Sequence, residues 1–224
     1  MSLSLSETLV EPLDPAAEID LLWAELGEDA ARRFVAPPCR AVDPDDLPQR
    51  FHHLLVHRRH LTATLTRHYG AGMRLTVLAS HRRGSRYTRL IQLAPAGCAT
   101  AVEHALITID LDLLPGPTAR EVVAAQLPVG QVLIRHAVHT LVAPRWFVQV
   151  DPPAVPRLRL ASTPPRPRWG EFGNGRRCFG RVGRIFCDGE PAIRMLEIVS
   201  GAELHELTPS EEAADSLGQH SQAR

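Results

Sequence analysis

The chain has 224 residues, enough for a single domain that buries a core without help from disulfides or metals. Basic and acidic residues balance at 25 each, so no whole-protein field points to nucleic acid or an anionic membrane surface. All 25 basic residues are Arg; without Lys, a Schiff base, a Walker A lysine and a lysine general base are excluded, and the planar Arg fork remains for binding anions.

Residues 1 to about 15 are polar and Ser-rich, and residues from about 206 are acidic and polar, so disorder is expected at both ends. Asp14 to Phe34 carries a helical pattern, with Asp14 as N-cap, Pro15 in the first turn and Ile19, Leu22, Trp23 and Leu26 on one face. Pro48 to Tyr69 reads as helix again, through Phe51, Leu54, Leu55, Leu61 and Leu65, and stops at Gly70 and Gly72. The period then changes. MRLTVLAS and YTRLIQLA alternate as strands around a turn at Gly84, and AVEHALITIDLDLL continues the meander. LPGPTAREVVAAQLPVGQVLIRHA supplies two short helices, the first opened by Pro117 and the two separated at Pro128 and Gly130. VHTLVAPRWFVQVD returns to strand. A Pro-rich connection fills 152–169, and GRVGRIFCDGEPAIRMLEIVS closes the domain as a hairpin turned at Asp188 and Gly189.

Cys39, Cys98, Cys178 and Cys187 are scattered without a CxxC, and the N-terminus lacks a basic region followed by an apolar run. No segment approaches the roughly 20 apolar residues needed to span a bilayer. The expectation is therefore a reducing cytoplasm, with no nucleic-acid or membrane partner. Strands in a meander with helices segregated between them predict an α+β domain: an antiparallel sheet covered on one face by helices.

Alternation along the strands puts charges among apolar residues. Arg89 shares a face with Ile91 and Leu93, and Glu197 lies between Met195 and Val199, although Leu196 and Ile198 make the opposite face apolar too. Two readings stay open. Arg89 and Glu197 form an ion pair or point to solvent, or they line an apolar pocket as a carboxylate clamp and a proton acceptor for a small anionic ligand bearing a hydroxyl. Both residues inward in an enclosed cavity favours an enzyme; Arg89 alone favours a binder of simple anions.

Other clusters carry less. His53, His57 and His60 recur at helical spacing without HEXXH, which reads as a polar face or a capping set, and no metal site is expected. Asp110 and Asp112 read as strand-end and turn residues. Arg157, Arg159, Arg166, Arg168, Arg176 and Arg177 give the Pro-rich region a local basic charge. GEFGNGRRCFG is Gly-rich but lacks a nucleotide-binding fingerprint.

Four segments, LTATLTRHYG, YTRLIQL, LPVGQVL and FGRVGRIFCDGEPAIRMLEIV, resemble in order and spacing the chorismate lyase-like family, which includes the bacterial chorismate pyruvate-lyases. The resemblance spans about residues 47 to 201. It implies a domain over 47–203, preceded by an extension over 1–46 with one helix and followed by a disordered tail over 204–224. It also implies an enclosed ligand pocket under helix-turn-helix flaps, and a cofactor-independent elimination of pyruvate from chorismate to give 4-hydroxybenzoate. Arg89 would then bind the ring carboxylate and Glu197 would face the ring hydroxyl. The backbone near Leu61, Val129 and Gly130 would complete the carboxylate nest, with Arg181 as a second cation within reach. Val129 and Leu61 depart from the family's usual Leu and Met, and one extra residue separates the Gly189-Glu190-Pro191 turn from Glu197, which would bulge the strand or move Glu197. A small-molecule carboxylate is the partner expected, for a monomer or homodimer; the alternatives are a non-catalytic binding protein for a small aromatic carboxylate and a lyase acting on a different cyclic acid.

Overall fold

The computed structural model describes residues 14–34, 36–150 and 177–207. Seven strands form one antiparallel sheet, β1 (Cys39–Val42), β2 (Met73–Arg83), β3 (Arg86–Pro95), β4 (Glu103–Asp110), β5 (Thr140–Val150), β6 (Cys178–Cys187) and β7 (Glu190–Val199), in the order β1-β5-β6-β7-β4-β3-β2. The sheet is thus two meanders, β2-β3-β4 and β5-β6-β7, joined where β7 pairs with β4, with β1 added beside β5. Among the described residues six α-helices pack on it: α1 (Pro15–Ala24), α2 (Glu28–Arg33), α3 (Gln49–Leu55), α4 (Leu61–Tyr69), α5 (Gly116–Ala124) and α6 (Val129–Arg135).

The α+β class and the antiparallel sheet agree with the sequence pattern, but the expectation of helices on one face is corrected. On one face Ile91, Ala105, Ile107 and Met195 belong to a core shared with Leu54, Leu55, Leu61 and Leu65 of α3 and α4 and Val122, Val132 and Leu133 of α5 and α6. On the other, Leu90, Leu106, Val148, Val182 and Leu196 form a second core with Ile19, Leu22, Leu26 and Ala30. The central strands are apolar on both sides, so both faces must be covered to keep them dry. The segment before residue 47 supplies that cover, with α1 and α2 where one helix was expected, and it adds β1 to the sheet edge.

The pattern from Pro48 to Tyr69 also divides into two helices, α3 and α4, with His57 and His60 in the connection between them. A single cation, Arg181, bonds the carbonyls of Leu55, His57 and Arg59 at this break. The Asp188-Gly189 turn closes the β6–β7 hairpin with positive φ at both residues, 50° and 92°, the geometry of a two-residue hairpin loop. Cys187 pairs with Glu190 and Ile185 with Ile193, so β7 carries one residue more than β6 beside the turn. This irregularity is taken up before Glu197, which pairs in register with Arg181. A second irregularity lies between Pro144 and Trp146, where β5 lacks a ladder donor. The chain ends and the Pro-rich connection over 152–169, with Arg157, Arg159, Arg166, Arg168 and Arg176, lie outside the described residues.

Candidate active site

The strand registers place four ionisable side chains on the face covered by α3 to α6. Arg181, Glu197, Ala105 and Ile91 stand side by side across β6, β7, β4 and β3. Arg89 lies in the next row toward Ile107, and Glu103 in the next row on the other side, beside Leu93 and Val199. Side-chain alternation makes Glu197, Arg89 and Glu103 neighbours of one small residue, Ala105, with Arg181 one strand beyond Glu197. Arg89 and Arg181 are fully buried, Glu103 is 2% exposed and Glu197 9%.

Arg181 and Glu197 form a closed unit. Arg181 Nε donates to Glu197 Oε2 at 2.6 Å, NH1 donates to the carbonyls of Leu55 (3.3 Å) and His57 (3.0 Å), and NH2 donates to that of Arg59 (3.1 Å). All three guanidinium nitrogens are used, and the charge sits at the C-terminal end of α3, where unpaired carbonyls favour a cation. That sequestering of carbonyls ends α3 and turns the chain into α4. His57 finishes the arrangement. Its Nδ1 faces two donors, Arg181 NH1 at 3.3 Å and the Arg59 amide at 3.2 Å, so it accepts, and Nε2 carries the proton toward Thr64 Oγ1 at 3.0 Å. Burial and then the Arg181 charge lower the His57 pKa to about 4, which keeps this imidazole neutral. His60 Nε2 bonds Thr140 Oγ1 at 2.9 Å, and burial lowers its pKa as well. Of the histidines predicted as a polar or capping set, His57 and His60 brace the connection while His53 is exposed on α3, and among the described residues no His, Cys, Asp or Glu group is placed to hold a metal.

Arg89 is different. Among the described residues its NH1 reaches the Val122 carbonyl in the last turn of α5 at a long 3.4 Å, and the Tyr87 side chain also interacts with the guanidinium. Nε and NH2 are buried with no hydrogen-bond partner among the described residues. These two nitrogens form one edge of the guanidinium plane, the edge that grips a carboxylate through two parallel hydrogen bonds. Burial pushes the Arg89 pKa down, opposed by the neighbouring Tyr87 phenol. Glu103 is similarly unsatisfied: Oε2 is buried without a partner among the described residues, and burial, reinforced by the Glu197 charge and opposed by Arg181, raises its pKa well above the usual carboxylate range.

The remaining sequence-predicted residues lie overhead. Leu61 opens α4 and Val129 and Gly130 open α6, and the two helices pack together. Gly130 allows the approach: a Cβ there would lie 3.0 Å from the His60 Cβ, just before α4 begins. The Gln131 amide in the first turn of α6 bonds the Pro128 carbonyl at 3.0 Å, while the amides that open each helix precede the first turn of i→i−4 bonds. Glu197 and Arg89 share the buried face but are not a pair; strand spacing and rise separate their Cα atoms by about 12 Å. Arg181 joins Glu197 instead.

No protein-family model matches the chain, and no curated protein matches it. The site therefore has to speak through its own chemistry. Glu103 is the residue that sequence reasoning missed, although alternation with Ala105 and Ile107 in VEHALITID places it on the same apolar face. Asp110, in contrast, is the turn residue expected, accepting the Asp112 amide at 3.3 Å. Outside this layer an open groove of about 590 Å³ runs along α5 past Arg82, Asp112, Arg120 and Val123, and none of Arg89, Glu103, Arg181 and Glu197 lines it. Among the described residues no helix is long and apolar enough to cross a membrane.

Proposed function

We propose that the chain is a cofactor-independent carbon–oxygen lyase of the chorismate pyruvate-lyase type, which eliminates pyruvate from chorismate to leave 4-hydroxybenzoate. The observation that carries this reading is the unpartnered Nε–NH2 edge of the fully buried Arg89 on the same sheet face as a buried carboxylate, Glu197. An unpaired buried charge is costly, of order several kcal/mol, unless an anion completes it. A ring carboxylate on Arg89 would meet that need, with the ring extending along this sheet face toward Glu197. The first turns of α4 and α6 offer amide donors to the same ligand.

The reaction asks for alignment rather than strong chemistry. The ether bond to the enolpyruvyl group breaks, a ring hydrogen departs, and aromatisation supplies the drive; the protein positions the ring and excludes water. Incubation of the purified protein with chorismate tests this. Equal amounts of pyruvate and 4-hydroxybenzoate are expected, with both lost in Arg89→Met and Glu197→Gln. No turnover by the parent protein would overturn the lyase reading.

One observation favours a second reading. Chorismate has two carboxylates, and Arg181, the other buried cation, has its guanidinium committed to Glu197 and to three backbone carbonyls. A binding protein for a small aromatic monocarboxylate needs only Arg89. Saturable binding of 4-hydroxybenzoate without turnover of chorismate is the result that selects it.

A further inference from the structure

The lyase reading leaves one proton without a source. Breaking the ether bond puts charge on the enolpyruvyl oxygen, while the ring hydrogen leaves on the other side of the elimination. Two carboxyl groups at the site can divide this work only if one holds a proton and the other does not.

Glu103 and Glu197 are placed for that division. They are diagonal neighbours on adjacent strands, β4 and β7, about 7–8 Å apart in the backbone and within mutual reach of their side chains. Their surroundings differ. Glu197 Oε2 accepts a 2.6 Å bond from the Arg181 Nε, so a cation is held directly against it. Glu103 has no cation bonded to it among the described residues, is 2% exposed and has an unpartnered Oε2. Both flank Ala105, the small residue that stands between them and the Arg89 row on this face.

We propose that Glu103 is the acid of the site: its carboxylic proton passes to the ether oxygen of the departing enolpyruvyl group while the Glu197 carboxylate takes the ring hydrogen as a proton. The carbon–oxygen bond breaks with its electron pair going to oxygen, which receives the Glu103 proton and leaves as enolpyruvate, the enol of pyruvate. The electrons of the broken ring carbon–hydrogen bond complete the aromatic ring. Glu103 is left as carboxylate and Glu197 as acid, and one proton transfer from Glu197 back to Glu103 restores the starting state. Nothing else is consumed. Burial and the adjacent Glu197 charge keep the resting proton on Glu103, with Arg181 opposing; Arg89 is the remaining buried charge on this face, and His57, beside Arg181, is neutral.

This role rests on the lyase reading, and two measurements separate the failure of one from that of the other. The first is infrared difference spectroscopy at pH 7 of the parent protein against Glu103→Gln, which is expected to show the carbonyl band of an un-ionised buried carboxylic acid in the parent alone. Absence of the band overturns the proposal whether or not chorismate is turned over. The second is steady-state kinetics on chorismate: Glu103→Gln, isosteric but without a transferable proton, is expected to lower kcat by roughly a hundredfold or more with KM nearly unchanged, and Glu103→Asp to recover part of it. Turnover by Glu103→Gln at the parent's rate overturns the role of Glu103 and leaves the lyase reading standing, whereas an inactive parent protein overturns both.

Discussion

Two fully buried arginines stand on one face of the same sheet, and the protein treats them in opposite ways. Arg181 spends every nitrogen on the protein: a carboxylate, Glu197, and the carbonyls of Leu55, His57 and Arg59. Arg89 has a long 3.4 Å bond to the Val122 carbonyl and the Tyr87 side chain nearby, and keeps its Nε–NH2 edge unpartnered among the described residues. A buried guanidinium with complete partners is a structural clasp, and one with an open edge is what the proposed anion site requires. The difference lies in what surrounds each. Arg181 faces the frayed end of α3, rich in carbonyls, and Arg89 faces Ile91, Ile107 and the last turn of α5.

Removing each charge with an apolar residue of similar length should break this comparison most sharply. Arg181→Met leaves Glu197 buried without its cation and frees three carbonyls, so a loss of about 3–5 kcal/mol is expected in urea denaturation. Arg89→Met should move the other way without ligand, raising stability by about 1–3 kcal/mol as two buried orphan nitrogens disappear. A loss of similar size in both variants would mean that Arg89 is structural as well.

The pH dependence sharpens the picture further. Glu103 has a raised pKa in the folded protein, so its unfolded form ionises first: it costs nothing at low pH, and stability is lost as pH rises above 4.5 toward its folded value. The advantage of Glu103→Gln over the parent should therefore grow with pH across that range in parallel denaturation curves. His57 has the opposite sign. Its pKa is lowered from 6.5 to about 4, so the stability it supports is present above 6.5 and lost as pH falls through that interval. His57→Gln should flatten this loss, and because the group is only half-buried the effect is on the order of 1 kcal/mol.

Much of this was legible in the residues. Alternation favoured a core face for Arg89 in YTRLIQL before any coordinates, left Glu197 in RMLEIVS open because both faces of its strand are apolar, and the sheet class followed from the turns at Gly84 and Asp188-Gly189. Partnership was not legible. Alternation says which face a side chain takes, but pairing Arg181 with Glu197 depends on the register of β6 against β7, and satisfying Arg181 depends on carbonyls contributed from more than 120 positions away. The two-sided cover escaped for a related reason: Leu196 and Ile198 showed that both faces are apolar, yet only tertiary packing shows α1 and α2 lying over the second. Glu103 was available from the same counting that found Arg89.

The claim that decides the account is that Arg89 is a carboxylate site built in advance. Titration calorimetry of 4-hydroxybenzoate into the parent protein and Arg89→Met tests it most directly, paired with the denaturation midpoint of each without ligand. Saturable one-to-one binding to the parent, lost in a variant that is as stable as the parent or more so, is the predicted result. Equal binding by both proteins, or an Arg89→Met variant that is markedly less stable without ligand, would contradict it.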